Sequence, residues 1–159
     1  MTNTSISSSE LCWETDRLTI RNIRESDAGF MHKLMNTRGW LDFIGDRRIK
    51  SLMLARKYII GLLQEDKNRY FVVVDKQSGQ EAGVLSLVRR DYLEHEDLGF
   101  AFLPQFQRKG MAYEAASSLL ERLKTREQTI LAVTTPENIA SQALIKKLGF
   151  RFYGTIVRL

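Results

Sequence analysis

Residues 98–112 read Leu98-Gly99-Phe100-Ala101-Phe102-Leu103-Pro104-Gln105-Phe106-Gln107-Arg108-Lys109-Gly110-Met111-Ala112. The run from Leu98 to Leu103 is apolar and aromatic and is bounded by a proline, which suits a buried strand. Farther on, Ala112, Ala115, Ala116, Leu119, Leu120 and Leu123 fall at helical spacing and predict a helix over residues 111–126. A strand therefore ends, and a helix begins, across one short polar loop. The first turn of a helix leaves N–H groups unpaired and carries the positive end of the dipole, so it can hold phosphate when the loop backbone comes close. Gly110 permits that approach and Ala112 nearly so, while Arg108 and Lys109 add positive charge beside it. A glycine near a helix start is also an ordinary loop feature, and that reading stands beside the first. Pro104 cannot continue a central ladder, so pairing should break near Leu103. Such a break would splay the next parallel strand away and free the N–H groups of Phe102 and its neighbours to hold a carbonyl oxygen as charge develops on it.

Working outward, residues 18–21 alternate as a half-buried strand should, and Glu25, Ser26 and Asp27 open a helix expected to run to about Arg38. Phe30, Met31, Leu34 and Met35 form its apolar stripe. Residues 42–48 read as a loop. Ser51 can cap a second helix reaching about Glu65, with Leu52, Ala55, Ile59, Leu62 and Leu63 on one face. Residues 70–74 and 82–88 predict an antiparallel hairpin around a turn at 76–80. Residues 130–134 make a further strand, Asn138 can cap a last helix that Gly149 ends, and residues 150–159 are expected to close as a strand. The order implies an α/β (α+β) fold: a mixed, mostly antiparallel central sheet with helices on both faces, in which strands 98–103 and 130–134 run parallel around a helix. One domain is expected over residues 10–159, preceded by a disordered, serine-rich leader at 1–9.

Hydrophobic residues make up 43% and charged residues 27% of the 159, an ordinary globular balance. No apolar run approaches the roughly 18 residues of a membrane span, so no membrane partner is expected. The single cysteine, Cys12, excludes an internal disulfide and fits a reducing, cytoplasmic compartment. With His32 and His95 remote from it, Cys12 reads as a small buried or strand-side residue, and the scarcity of Cys and His argues against a metal site. The net charge of +5 favours anionic partners, yet the acidic run at 94–97 argues against direct nucleic-acid binding.

The loop resembles the acyl-CoA signature of the GNAT acetyltransferases, Gln/Arg-x-x-Gly-x-Gly/Ala, matched by Gln107, Gly110 and Ala112. The wider stretch from Asp97 to Ala115 is similar to the Rim-type branch, which acetylates ribosomal-protein N-termini and other amines. Glu14-Thr15-Asp16-Arg17-Leu18 on one side and Asn138-Ile139-Ala140-Ser141…Lys147-Leu148-Gly149-Phe150 on the other keep the family's order. The resemblance implies a GNAT fold with acetyl-CoA as cosubstrate. Its diphosphate would rest on the backbone of Gln107, Arg108, Lys109, Gly110, Met111 and Ala112, and its pantetheine arm in the opened sheet along Phe100, Phe102 and Leu103. It also implies that Asn138 hydrogen-bonds that arm; an N-cap is the plainer role for this residue, and one side chain could serve both.

Such an enzyme would move acetyl to a primary amine by direct attack in a ternary complex. The ammonium must first lose a proton, and Asp97, Glu96 and Glu94 could take it through water; a solvated acidic turn is their other reading. Many GNAT enzymes place a tyrosine seven residues after the asparagine, where this chain has Ile145, whereas Rim-type members commonly carry a serine three residues after it, matched by Ser141. Ser141 is thus the candidate for positioning or protonating the thiolate. Trp40, in the expected loop between the first helices, and Tyr58 are candidates for lining the acceptor pocket, and Trp13 for anchoring the first strand. The family normally follows the strand after Gly149 with a hairpin and one more strand, whereas this sequence stops at Leu159. The expectation is a sheet without its last strand, leaving a wide cleft, or a gap filled by a second copy in a homodimer. The alternative to an enzyme is a weak or inactive acyl-CoA-binding sensor or scaffold of the same fold. The acceptor stays open between a protein N-terminus, ribosomal or other, and a small amine.

Overall fold

The structure, a computed structural model, describes residues 12–124 and 128–156. The expected leader at 1–9, the end of the 111–126 helix at Arg126, and residues 157–159 of the expected closing strand lie outside the described residues. Six strands form one sheet in sequence order: β1 (Cys12–Glu14), β2 (Leu18–Asn22), β3 (Arg69–Asp75), β4 (Glu81–Val88), β5 (Glu96–Phe102) and β6 (Ile130–Leu131). The first four pairings are antiparallel and β5–β6 is parallel, the mixed sheet that the sequence implies. Five helices complete the chain: α1 (Ala28–Met35), α2 (Arg38–Phe43), α3 (Leu52–Leu63), α4 (Met111–Leu123) and α5 (Ile139–Lys147).

Side chains alternate across a strand, so the register sorts them onto two faces. Ile20, Phe71, Leu85, Leu87, Leu98, Phe100 and Phe102 share one face; Arg21, Tyr70, Val72, Ser86, Asp97, Gly99 and Ala101 share the other. Helix α4 covers the first. There the Trp13 indole packs edge-on against Phe71 with centroids 5.3 Å apart and donates to Ser118 Oγ at 2.9 Å, the anchoring expected of it. Helices α1 and α3 cover the second, where the Arg21 guanidinium grips the buried Asp27 carboxylate at 2.8 Å just before α1. Cys12 is strand-side, as expected, and exposed.

Several elements depart from the sequence pattern. The helix expected from Glu25 to Arg38 is a 3-10 turn (Glu25–Asp27), then α1, then a separate α2. Thr37 makes the break: its hydroxyl donates to the Leu34 carbonyl at 2.7 Å and accepts from the Trp40 N–H at 3.4 Å, ending one helix and capping the next. Residues 42–43 of the expected loop accordingly belong to α2. On α3, Ala55 and Ile59 are buried, but Leu52 and Leu63 of the expected apolar face are 59% and 50% exposed. Gly149 ends α5 with a left-handed φ of 95°, as expected. The closing strand does not form within 150–156, where Phe152 and Tyr153 are 88% and 93% exposed. A strand needs a neighbour, and the only free edge on that side is β6, two residues long.

Glycine supplies a direct test of the β4–β5 packing. A Cβ on Gly83 would lie 2.5 Å from the Ala101 carbonyl oxygen, which cannot move without moving β5. A Cβ on Gly61, within α3, meets nothing within 4 Å. Gly83→Ala should therefore lower stability by about 1–3 kcal/mol, and Gly61→Ala should raise it by about 0.5–1 kcal/mol, both read from urea unfolding midpoints.

Candidate functional site

β5 is fully paired on one side and almost free on the other. Toward β4 the ladder runs from Asp97 to Phe102 and continues with the Leu103 N–H donating to the Ala82 carbonyl at 2.9 Å. Toward β6 it stops after Glu96–Ile130 and Asp97–Leu131. The Leu103 bond sets the alternation, so the N–H and C=O groups of Leu98, Phe100 and Phe102 point to the open side. The expected splay is therefore present but begins at Asp97, well ahead of Pro104. Its cause is a side chain: the N–H of Val133, which would extend the ladder, donates instead to Asp97 Oδ1 at 3.1 Å. This also explains why the strand expected over 130–134 ends at Leu131. Pro104 ends the β4 ladder and starts a 3-10 turn (Pro104–Phe106).

At the far end of this open edge stands the loop. Gln107 turns its amide back to donate to the Phe102 carbonyl at 2.9 Å, which terminates the edge. Arg108 (φ 60°) and Gly110 (φ 74°) are both left-handed, and α4 starts at Met111. The first intrahelical donor is the Glu114 N–H, to Gly110 O at 3.0 Å. Those of Met111, Ala112 and Tyr113 have no place in the helix ladder, and among the described residues nothing accepts from them or from Arg108, Lys109 and Gly110. A run of free donors at the positive end of a helix, beside Arg108 and Lys109, fits a phosphate-bearing ligand.

Three residues that sequence reading did not single out hold this loop. Arg17, in the β1–β2 turn, donates from Nη1 to the Lys109 carbonyl at 2.7 Å and from Nε to Glu114 Oε1 at 2.7 Å. Thr15 Oγ1 and the Arg17 backbone N–H both bond Glu114 Oε2. Burial raises the Glu114 pKa, but the bonds from Thr15 and Arg17 outweigh it and leave the group below its ordinary value. Thr15, Arg17 and Glu114 lay inside the sequence blocks already noted; their mutual contact, some 97 residues apart in the chain, was the hidden part. A pocket of about 520 Å³ lies behind the clamp, lined by Arg17, Lys76, Asp75 and Lys109 among others.

The two candidate bases separate. Glu96 faces α4, bonded to Arg69 at 3.0 Å and to the Gln128 amide at 2.7 Å; Asp97 faces α3, paired with Arg90 at 2.8 Å. Both are buried, so the reading of a solvated acidic turn is corrected for them, and with it the acidic patch invoked against nucleic acid; Glu94 alone is exposed. Burial raises the Asp97 pKa, with Arg90 and the Val133 N–H opposing. On the same face Ser86, Gly99 and Ala101 are small and half-buried, with Tyr70 and Tyr58 alongside. Gly99 is required there, since a Cβ would sit 2.5 Å from Ser86 Oγ. The Tyr70 phenol is pushed up to about 12, by burial first and then by Tyr58 and Glu65, against Arg90 and Arg47. Trp40 does not join this group. It is 8% exposed within α2, so it is core and not a pocket wall. Asn138 caps α5, its Oδ1 accepting the Ser141 N–H at 3.2 Å, and Ser141 is half-buried in the first turn.

An open parallel edge ending in a phosphate-ready loop is what the acetyltransferase (GNAT) domain model matches, over residues 17–151. The chain belongs to the GNAT acetyltransferase family. A curated relative, the uncharacterized N-acetyltransferase YnaD of Bacillus subtilis, is 33% identical over 115 residues, which span 62% of this chain and 66% of the relative, just under two thirds of its length. Among solved structures, spermidine N-acetyltransferase from Vibrio cholerae, in complex with CoA and spermine, superposes with a TM-score of 0.76 at 23% identity, covering 90% of this chain and 86% of that one. Ribosomal-protein-S5-alanine acetyltransferase from Vibrio fischeri superposes at 0.71 with 21% identity, covering 89% and 83%. At these identities the likeness speaks to the GNAT fold. Among the described residues no helix is long and apolar enough to cross a membrane, and no group of three or more His, Cys, Asp or Glu could hold a metal.

The clamp gives the GNAT loop a pH signature. Because the Glu114 pKa is depressed, the stability it contributes is present above the ordinary carboxylate range and is lost as pH falls through the folded-state value. Asp97 has the opposite sign: its raised pKa means that protonation relieves the folded state as pH falls. Unfolding midpoints followed from neutral to acid pH should show Glu114→Gln losing part of the acid-side decline, and Asp97→Asn steepening it.

Proposed function

We propose that this chain is an acetyl-CoA-dependent N-acetyltransferase that acts on a primary amine by direct attack in a ternary complex. One observation carries the reading: a continuous track of unpaired backbone groups, from the loop at Arg108 to Ala112 back along Phe102, Phe100 and Leu98 to the fork at Asp97. Acetyl-CoA, when bound, supplies the acetyl thioester. The loop donors would hold its diphosphate, with Arg108 and Lys109 adding charge. The open edge, with Leu103 at its end, would pair the amide-bearing arm as a strand would. The N–H of Phe100 or Leu98 is placed to hold a thioester carbonyl oxygen, where donors fixed in advance stabilise developing charge. Asn138 keeps its Nδ2 for the arm, since its Oδ1 is used in the cap. The Ser141 hydroxyl, one helical turn along, is the proton donor we assign to the departing thiolate.

The amine would enter on the α3 face, over Ser86, Gly99 and Ala101, with Tyr58 and Tyr70 beside it. Asp97 is the carboxylate on that face, and burial makes it a better proton acceptor than an ordinary aspartate. Glu96, on the other face and bonded to Arg69 and Gln128, holds the fork and stays outside the proton path. Orientation of the two substrates would supply much of the acceleration.

Thermal unfolding with acetyl-CoA, coenzyme A and ATP tests the cofactor assignment. A ligand selective for the folded state adds about 2.7 kcal/mol at a hundredfold excess over Kd. Acetyl-CoA and coenzyme A should raise the midpoint and ATP should not. Gly110→Glu, which places a side chain and a negative charge at a left-handed position 3.3 Å from the Arg17 guanidinium, should abolish the response. Absence of any acyl-CoA shift in the parent protein would refute the reading. Free-thiol release with a panel of amines then separates an enzyme from a sensor: Asp97→Asn should cut kcat about a hundredfold while keeping the acetyl-CoA shift, whereas a sensor would bind and turn over nothing.

A further inference from the structure

The segment between α2 and α3 concentrates two properties that the rest of the surface lacks. Of the thirteen exposed large hydrophobics among the described residues, six lie here: Leu41, Phe43, Ile44, Leu52, Met53 and Leu54. Residues 38–57 also carry six Lys and Arg against two Asp, so +4 of the chain's +5 resides in this stretch. Two of those cations are spoken for, Arg38 by Asp42 and Arg56 by Glu25. Arg47, Arg48, Lys50 and Lys57 are exposed and pair with no described carboxylate.

The segment is held in shape. Ile49 is buried at its middle, and the Asn36 amide ties the Ile49 carbonyl to the end of α1 at 2.8 Å. Arg48 is left-handed at φ 55°, and its N–H is bonded to Asp46 Oδ1 at 2.7 Å. Arg108 in the cofactor loop is the only other non-glycine residue with positive φ among those described. A bulky residue in that conformation persists where the surroundings enforce it.

The segment also adjoins the acceptor side of the site. Arg47 acts electrostatically on Tyr70, and α3 carries Tyr58. We propose that residues 41–54 form the docking surface for a polypeptide acceptor whose sequence near the acetylated amine is acidic and apolar. The inference rests on the acetyltransferase reading and narrows its substrate class. A polyamine would meet Arg47, Arg48 and Lys50 at the mouth of the cleft, where like charges repel it. An anionic membrane suits the charge less well, since Asp42, Asp46 and Glu25 lie within the same surface. A flexible acidic chain can thread between those carboxylates while its apolar side chains cover Leu52 and Met53.

The probes are synthetic peptides with a free N-terminal alanine followed by alternating Glu and Leu, the same peptide with Lys for Glu, and spermidine. Binding is read by fluorescence anisotropy of the C-terminally labelled peptides with coenzyme A present, and turnover by thiol release. The Glu/Leu peptide should bind, and should be acetylated with a kcat/KM about tenfold or more above the Lys/Leu peptide and spermidine. Met53→Glu and the Arg47→Glu/Lys50→Glu pair, all at exposed positions, should raise its KM about tenfold with kcat and the acetyl-CoA thermal shift unchanged. Preference for spermidine or the Lys/Leu peptide, or a preference that survives these variants, overturns the proposal. So does binding to phosphatidylglycerol vesicles without peptide binding, or a dimer by light scattering that Met53→Glu converts to monomer, which would make the face a membrane or self-association surface. Failure of the acetyltransferase reading would show differently: no acetyl-CoA shift, and no thiol release with any amine.

Discussion

Where β6 leaves β5, the N–H of Val133 goes to the Asp97 carboxylate and not to the next ladder position. A parallel pair that continued would have satisfied the open side of β5 completely. Because one carboxylate takes that donor, the strands part after a single pair of residues and the backbone of Leu98, Phe100 and Phe102 stays available. Asp97 can do this only because Arg90 lies against its other oxygen at 2.8 Å, since an unpaired buried carboxylate would be far more costly. The fork, the open edge and the carboxylate on the acceptor face are thus consequences of one buried ion pair.

The other end of the edge is secured from outside the βαβ unit. Arg108 and Gly110 take left-handed conformations that a free loop would populate only in part. Arg17 bonds the Lys109 carbonyl and Glu114 together, which fixes the backbone before any ligand arrives and lowers the ordering cost of binding. Glu114 is an acidic residue in the first turn of α4 and therefore also meets the positive end of the dipole. That would weaken an anion site were it uncompensated, and Arg17 cancels its charge at 2.7 Å. The β1–β2 turn, which looks peripheral in the sequence, is therefore part of the ligand loop's scaffold.

The features legible in the sequence are those encoded locally. Period and punctuation give the β3–β4 hairpin, the β5–α4 junction, the cap at Asn138 and the stop at Gly149, because each depends on residues within one turn or strand. The resemblance blocks brought the family. What escaped depends on partners far along the chain: the Arg17–Glu114 clamp, the Asp97–Val133 bond that starts the splay ahead of Pro104, and the opposite facing of Glu96 and Asp97. The last was within reach, because adjacent strand residues must point to opposite faces once the register is known. Trp40 was misplaced for a different reason. An indole in a stretch rich in Gly, Asp and Arg reads as loop, and only the Thr37 cap reveals a short helix that turns it inward.

Two cationic regions remain distinct in kind, one at each end of the open edge. At the cofactor loop much of the positive potential comes from oriented backbone N–H groups at a helix start, fixed by the fold and close to any ligand they hold. At the α2–α3 segment it comes from exposed side chains, whose field is screened within about 8 Å at physiological ionic strength. The first can therefore bind an anion by contact, whereas the second can steer and select one only weakly unless apolar burial adds to it. Leu52 and Met53, exposed beside Lys50, provide that burial, so charge and apolar surface have to act together there. A partner offering only one of the two would gain little from this surface, which is the physical basis for selecting a polypeptide over a small amine.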